Sequence, residues 1–267
     1  MNQHLRRAAA VAIVLGAAGR HPATPAPLPT EPAPGRAVVV ELFTSQGCAT
    51  CPPADRLLAA LGREAGGKVV PLAFHVDSWN HAGWTDPFSD AAWSRRHSFY
   101  ARALRTDGAY TPQAVVNGSV AVVGSDEAAL RAAIAAAARQ PAVELGLALT
   151  VEPAEVRAEV TVEVPPALSD RKLDLMLAVF ETGLETPVRR GENGGRTLRD
   201  DYVVRHLARV ARLAPTAGEG PGTRRHSAVV RLAADWNRAR LGLAAFVQDP
   251  RTLAIQGGVA RELERSH

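Results

Sequence analysis

Apolar residues between positions 37 and 141 follow two alternating patterns. The runs "AVVVELF" (37–43) and "KVVPLAFHVD" (68–77) are continuous and rich in β-branched residues, which predicts buried strands. The segments "ADRLLAALGREAGG" (54–67) and "SDAAWSRRHSFYARAL" (89–104) have helical spacing, and Ser89 is a candidate N-cap of the second helix. The pattern therefore predicts strand, helix, strand and helix in that order.

A hairpin and a third helix complete this region. The runs "AVVNG" and "VAVVG" meet at Asn117-Gly118, a pair of residues that suits the positive φ angles of a two-residue hairpin turn. The segment "SDEAALRAAIAAAARQ" predicts a helix with Ser125 as its cap, and Pro141 ends it. The order β, α, β, α, β, β, α, with C-x-x-C at the start of the first helix, resembles a thioredoxin-like domain over residues 37–141.

Residues 142–267 follow a different pattern. Segments such as "VELGLALTVE", "EVRAEVTVEVP", "KLDLMLAVFET" and "LGLAAFVQDP" alternate apolar and polar residues over short runs separated by turn residues. This spacing favours an antiparallel sandwich. The predicted fold class is an α/β thioredoxin-like domain followed by an all-β, sandwich-like domain that serves as a binding or docking module.

The first residues indicate export. Residues 1–20 contain Arg6 and Arg7, then an apolar stretch bounded by small residues, which is typical of a cleaved signal peptide. Residues 21–36 carry six prolines in "HPATPAPLPTEPAPGR" and predict an extended linker. No later segment reaches eighteen apolar residues, so we expect a periplasmic or secreted protein without a stable membrane span after cleavage.

Charge and motifs exclude several function classes. The chain has 267 residues and a formal net charge of +4, with its basic residues dispersed rather than gathered in a run. A nucleic-acid-binding arm is therefore not expected. The sequence also lacks a P-loop, a dinucleotide-binding fingerprint and a nucleophile triad, and no cofactor is predicted.

Several motifs together resemble one bacterial family of secreted proteins, called domain of unknown function 1223. These motifs are "ELFTSQGCATCPPAD", "FHVDSWNHAGWTDPF", "YTPQAVVNG", "GENGGRTL" and "LAAFVQDP", and they span most of the chain. The resemblance implies a thioredoxin-like N-terminal half and a β-rich C-terminal half. It implies no substrate.

The two cysteines carry the candidate chemistry. Cys48 and Cys51 are three residues apart, a spacing that allows a disulfide on one helical turn. A cysteine near a helix start has its thiolate favoured by unpaired N–H groups and by the helix dipole. We therefore predict a thiol-disulfide oxidoreductase acting on protein thiols or disulfides, with Cys48 as nucleophile and Cys51 as resolving cysteine. Because Pro52 and Pro53 follow the second cysteine, Cys51 could itself be the cap, with Cys48 in the preceding loop.

Three further residues are candidates for substrate binding and one for proton transfer. By resemblance to thioredoxin-like proteins, the bond between Thr111 and Pro112 is expected to be cis and to face the cysteines, so that Thr111 helps to bind substrate. Trp79 offers a surface for a partner's apolar side chains. Asp77 is the candidate proton acceptor for the Cys51 thiol, and a role in the turn at the strand end is its structural alternative.

Two alternatives use the same cysteines. Cys48 and Cys51 could bind copper or zinc together with one or two of His75, Asp77 and His81, although no second C-x-x-C or H-x3-5-H spacing is present. For His75, which lies in a buried run, a hydrogen-bonded core position is the simpler interpretation. The protein could also be a non-catalytic thioredoxin-like binding protein whose cysteines form a permanent bond. Such a bond would close too small a loop to stabilise the fold by much.

One arginine-rich segment is left without a role. Arg189, Arg190, Arg196 and Arg199 lie around the "GENGG" turn. A solvated hairpin in an arginine-biased protein accounts for them, and the alternative is a surface for an anionic ligand or partner.

Overall fold

A computed structural model describes residues 13–15, 37–213 and 223–263. The predicted linker, residues 21–36, lies outside the described residues. So does the predicted signal peptide, residues 1–20, except for a short strand at its centre that pairs with Ala228–Val230.

The elements of the described residues alternate in the first half and are strands in the second. The α-helices are α1 (Pro52–Glu64), α2 (Ala91–Ala103) and α3 (Glu127–Ala137). The strands are β1 (Ile13–Leu15), β2 (Val38–Thr44), β3 (Val69–His75), β4 (Gln113–Val116), β5 (Val120–Val123), β6 (Glu144–Val151), β7 (Glu155–Glu163), β8 (Leu173–Glu181), β9 (Leu184–Pro187), β10 (Thr197–Asp200), β11 (Val203–Leu213), β12 (Thr223–Arg231), β13 (Leu241–Gln248) and β14 (Ile255–Glu262).

The predicted fold class is wrong. An α/β thioredoxin-like domain followed by an all-β domain requires separate sheets, whereas one mixed eight-stranded sheet runs through both regions in the order β14-β13-β8-β11-β3-β2-β4-β5. The junction lies between β11 and β3, where Val203 pairs in parallel with Ala73 and the Ala73 N–H donates to the Tyr202 carbonyl at 2.8 Å. The described residues are therefore mostly β.

A second sheet covers part of the large one. Its order is β1-β12-β7-β6, and alternate residues of β7, from Val156 to Val162, are fully buried. They share one apolar cluster with Leu175 and Leu177 of β8 and with Leu243 of β13. The two-sheet packing expected of a sandwich is present, but one of its layers is the large mixed sheet.

The strands beside the cysteines are buried on both faces. Val38, Val40 and Leu42 of β2 pack against α1 and α3, while the alternate residues Val39 and Phe43 pack in the cluster that contains α2. That second cluster includes Phe180 of β8 and Phe246 of β13, so it joins residues from both halves of the chain. This packing explains why β2 and β3 are continuous apolar runs.

The observed hairpin turn matches its prediction, and the observed helix caps lie close to theirs. The hairpin of β4 and β5 turns at Asn117 and Gly118, with φ angles of 44° and 61°. The caps differ by one residue: Asp90 and Asp126 cap α2 and α3 through side-chain bonds to the Ala92 and Ala129 amides, not Ser89 and Ser125. A carboxylate at the cap also interacts favourably with the helix dipole.

In the part of the chain that the structure describes, no helix combines the length and the apolar character needed to cross a membrane.

Candidate active site

The C-x-x-C segment lies where β2 leads into α1. Cys51 is the N-cap residue of α1, and Pro52 and Pro53 occupy the first turn, where a missing N–H costs no helical hydrogen bond. Cys48 lies in the preceding loop, and its carbonyl accepts a hydrogen bond from the Cys51 amide at 3.3 Å. The amides of Ala54 and Asp55 in turn donate to the Cys51 carbonyl.

The two sulfur atoms face each other as free thiols. Cys51 Sγ lies 2.6 Å from Cys48 Sγ, and the two are not joined by a disulfide bond. Only 1% of Cys48 is exposed, although the role of nucleophile requires its sulfur to meet a partner's disulfide. The groups at hydrogen-bonding distance from its sulfur are polar: the Thr50 hydroxyl at 3.4 Å, the Thr111 carbonyl at 3.9 Å and the Cys51 thiol. Ala49 and Thr50, directly beside it, are exposed.

The environments of the two thiols separate their pKa values. The hydrogen bond from Cys51 outweighs the effect of burial and, with the contacts of Cys48 to Thr111 and Thr50, lowers the pKa of Cys48 to about 5. Burial, followed by the hydrogen bond to Cys48 and the charge of Asp55, raises the pKa of Cys51 far above its usual range. At neutral pH the pair consists of one thiolate and one thiol.

The predicted substrate-binding residues form one wall of the site. The peptide bond between Thr111 and Pro112 is cis, as expected. Trp79 donates from Nε1 to the Thr111 hydroxyl at 2.8 Å, and the Thr111 carbonyl faces Cys48 Sγ. Trp79 also lies against the cysteine loop, because a Cβ atom at Gly47 would come within 3.0 Å of its Cβ. The structure therefore brings Trp79, Thr111 and Cys48 together.

A loop from the second half of the chain holds the cysteine loop from the other side. Residues 188–196 connect β9 and β10, and Asn193 in this loop is fully buried. Its Nδ2 donates to the carbonyl oxygens of Gln46 and Cys48, each at 2.9 Å. Next to it, the Glu192 carboxylate accepts a hydrogen bond from the exposed Ala49 amide at 2.9 Å.

A buried charged network lies beneath the cysteine loop. Gln46 donates from its backbone to Asp86 at 2.8 Å and from its side chain to Asp200 at 2.6 Å. His75, itself 1% exposed, bonds through Nδ1 to Asp86 at 2.8 Å. Burial alone lowers the pKa of His75, but the charge and hydrogen bond of Asp86 raise it to about 9, so the imidazole is protonated at neutral pH. Burial raises the pKa of Asp200.

Asp55, on the first turn of α1, faces this network and Cys51. Its Oδ1 atom, the Thr44 hydroxyl and His75 Nε2 are buried without a hydrogen-bond partner among the described residues. Burial, together with the charge of Asp200, raises the pKa of Asp55 to about 7. Thr44 lowers the pKa of both Asp55 and Cys51, but these effects are smaller than that of burial. Asp55 is thus a carboxyl group that can change protonation near neutral pH.

The remaining candidates make their hydrogen bonds with groups other than the two sulfurs. The Asp77 carboxylate accepts a hydrogen bond from the Ser94 hydroxyl, which accepts in turn from the Asp77 amide at 3.0 Å. His81 is exposed. His75 is occupied by Asp86, and no group of three or more His, Cys, Asp or Glu side chains within the described ranges could hold a metal ion.

Sequence reasoning missed Asn193, Asp55, Asp86 and Asp200 as parts of the site. Asp86 and Asn193 lie in motifs that carried the family resemblance, "FHVDSWNHAGWTDPF" and "GENGGRTL", and these motifs were the available signal. Asp200 is buried at the end of β10, while the adjacent Asp201 is half-buried and pairs with Arg199 and Arg63.

Comparisons with known proteins give a family and a fold. A crystal structure of protein AGR_C_4864 from Agrobacterium tumefaciens is similar, with 28% identity and a TM-score of 0.66, covering 86% of this chain and 97% of that one. HBP35 of Porphyromonas gingivalis has a TM-score of 0.60 at 16% identity, covering 87% of this chain and 77% of that one, which is a likeness of fold alone. No curated protein matches the chain. The family described as protein of unknown function (DUF1223) matches residues 39–248, and the chain belongs to this family.

Proposed function

We propose that this protein is a thiol-disulfide oxidoreductase acting on protein thiols or disulfides. One observation carries the proposal: two free thiols lie 2.6 Å apart at the start of a helix, in environments that lower the pKa of Cys48 and raise that of Cys51. A nucleophile needs a populated thiolate, and a resolving cysteine needs to stay protonated until the mixed disulfide has formed.

The reaction proceeds in two exchanges. The Cys48 thiolate attacks one sulfur of a partner disulfide, a Cys48–partner bond forms, and the other partner sulfur leaves as a thiolate that takes up a proton. Cys51 then loses its proton and attacks Cys48 Sγ, which releases the second partner thiolate. The products are a Cys48–Cys51 disulfide and a reduced partner, and the same steps in reverse oxidise a partner dithiol.

Asp55 takes the proton that Cys51 releases. Its carboxyl group has a pKa of about 7, its buried Oδ1 has no hydrogen-bond partner in the described ranges, and its charge raises the pKa of Cys51. A proton acceptor works best when its pKa lies near the working pH. We therefore assign to Asp55 the role that the sequence suggested for Asp77.

Substrate approaches past Thr50. This residue is exposed and its hydroxyl is 3.4 Å from Cys48 Sγ, so a partner that reaches the sulfur from solvent displaces or passes this side chain. Thr111 and Trp79 border the sulfur on one side, where they contact the partner chain next to its cysteine.

The proposed place of action is the periplasm or the exterior. The basic and apolar pattern of residues 1–20 supports export. An oxidising compartment is also where disulfide exchange between proteins has a continuing use.

Trapping of the mixed disulfide tests the function. The reduced protein is mixed with an unfolded protein that contains disulfides, quenched with acid, and analysed by non-reducing electrophoresis and mass spectrometry. Cys51→Ser should accumulate a covalent complex through Cys48, and Cys48→Ser should form none. The proposal is wrong if Cys48→Ser exchanges as fast as the parent protein. Copper or zinc that co-purifies with the parent protein and is lost in Cys48→Ser would instead support the metal carrier.

A further inference from the structure

We propose that the loop between β9 and β10 forms a basic docking surface beside Cys48, which selects partners with acidic residues near the disulfide under attack. This inference rests on the proposed function and adds the class of partner. The surface consists of Arg189, Arg190 and Arg196, three exposed arginines within eight residues that otherwise contain one acidic residue, Glu192.

The position of the loop is fixed by contacts with the cysteine loop. Asn193 bonds to the Cys48 carbonyl and Glu192 to the Ala49 amide. Arg190 is two residues from Glu192, so its Cα lies within about 7 Å of that of Glu192. Arg196 donates from Nη1 to the Asn193 side-chain oxygen at 2.8 Å. Arg190 and Arg196 therefore lie near the cysteine loop in space, although more than 140 residues separate them from it in sequence.

The positive charge of this loop is not neutralised locally. Arg199, on β10, lies opposite Glu185 and pairs with Asp201 at 3.4 Å, so its positive charge has acidic partners nearby. Arg189 and Arg190 have no side-chain partner among the described residues, and the one carboxylate of the loop, Glu192, keeps its charge while it accepts a hydrogen bond from the Ala49 amide, so three arginines outweigh one acidic residue. At physiological ionic strength the interaction between exposed charges extends over about 8 Å, so these arginines act on a partner only where its chain passes close to the loop.

The geometry defines the spacing of the partner's acidic residues. An extended chain advances about 3.3 Å per residue, so a carboxylate two or three residues from the attacked cysteine reaches the arginines. Guanidinium groups bind carboxylates through paired hydrogen bonds, and complementary charge raises association rates. The opposite wall, formed by Trp79 and Thr111, presents an indole ring and a hydroxyl group instead of basic side chains.

Three disulfide peptides that differ only in charge provide the test. In each peptide, glutamate, serine or lysine occupies the positions two and three residues from each cysteine. The rate of exchange with the reduced full-length protein is divided by the rate with dithiothreitol, which removes differences in the intrinsic reactivity of the peptides. At low salt the glutamate peptide should react roughly tenfold faster than the lysine peptide, and the difference should shrink at high salt.

A matched pair of charge reversals locates the effect. Arg189→Glu with Arg190→Glu should abolish or reverse the preference for the glutamate peptide over the lysine peptide. Arg171→Glu with Lys172→Glu changes the net charge equally on an exposed turn at the far end of β8 and should keep the preference. A preference that survives reversal of Arg189 and Arg190, or equal rates with all three peptides, overturns the inference. Absence of exchange with every peptide overturns the proposed function instead.

Discussion

The side-chain amide of Asn193 donates a hydrogen bond of 2.9 Å to the main-chain carbonyl of Cys48. The same nitrogen donates to the Gln46 carbonyl, so one buried side chain binds the main chain of the cysteine loop at two residues. Asn193 comes from the loop between β9 and β10, which means that the shape of the candidate active site depends on a segment far away in sequence.

Replacing Asn193 should loosen the cysteine loop. Asn193→Ala leaves two carbonyl oxygens without this donor in a buried setting, and we expect a loss of about 1–3 kcal/mol in the free energy of unfolding. The pKa of Cys48 should rise, because the loop no longer holds its sulfur against Cys51. Urea unfolding measures the first effect, and the pH dependence of iodoacetamide alkylation measures the second.

Ser169→Ala is the control for this change. The Ser169 hydroxyl bonds to the Pro166 carbonyl in an exposed turn, so its removal should change stability by less than about 0.5 kcal/mol. If Asn193→Ala behaves like Ser169→Ala in both measurements, the loop does not hold the cysteines.

The reduction potential should depend on pH in two regimes. Between pH 6 and pH 8 the reduced protein holds one thiolate and one thiol, because the pKa of Cys48 is about 5 and that of Cys51 is raised. Oxidation then releases one proton for two electrons, and the potential should fall by about 30 mV per pH unit. Below pH 5 both thiols are protonated, and the slope should approach about 59 mV per pH unit.

Equilibration with glutathione buffers at several pH values measures this slope. A single slope of about 59 mV per pH unit from pH 4.5 to pH 8 would show that Cys48 is protonated throughout and contradict the assigned order of the two thiols.

Asp55→Asn should separate stability from chemistry. Folding raises the pKa of Asp55. Its contribution to the free energy of unfolding is therefore fully favourable below about pH 4 and is lost as the pH rises through about 7. At pH 8 the buried carboxylate lowers stability, so the free energy of unfolding of Asp55→Asn should be about 1–3 kcal/mol higher than that of the parent protein. At pH 4 the two proteins should differ little.

The same variant should resolve its mixed disulfide roughly 100-fold more slowly, because Cys51 has lost its proton acceptor. Quenched-flow trapping of the complex measures this rate, and Asp77→Asn is the control. Slow resolution in Asp77→Asn and normal resolution in Asp55→Asn would restore the role predicted from sequence for Asp77.

An ion pair in the core should contribute to stability without affecting the exchange chemistry. Arg96 bonds to both carboxylate oxygens of Glu41, at 2.7 and 3.2 Å, and its guanidinium lies over the Phe246 ring. Arg96→Met leaves Glu41 buried without its partner and should cost about 3–5 kcal/mol. Combining it with Glu41→Gln should recover part of the loss, as measured by urea unfolding, while the exchange rate of the folded fraction stays unchanged.

Local structure could be predicted from sequence, whereas the pairing of distant strands could not. The Asn117-Gly118 turn and the apolar run of β2 depend on nearby residues, and both are where the sequence places them. The pairing of Val203 with Ala73 has no local signal. The segments that form β8 and β13 were expected to alternate in burial, but nearly every residue of both strands is buried, as is typical of the interior of a sheet covered on both faces.

The site was predictable to a similar depth. The C-x-x-C motif of Cys48 and Cys51 and the Thr111-Pro112 pair are short local motifs, so the sequence shows them directly. Asp55 and Asn193 both lie in the family motifs, but the role of Asp55 depends on burial beside Asp200 and that of Asn193 on a contact across 145 positions, which only the folded chain shows.

The parallel contact between β3 and β11 has a consequence for protein engineering. All seven residues of β3 are buried, and a fragment ending at residue 141 would leave one side of this strand as a bare edge. Unprotected edges recruit other chains and lead to aggregation. A truncated version that keeps only the dithiol segment should therefore be recovered as insoluble material, and any fusion or transplant has to carry the strands downstream as well.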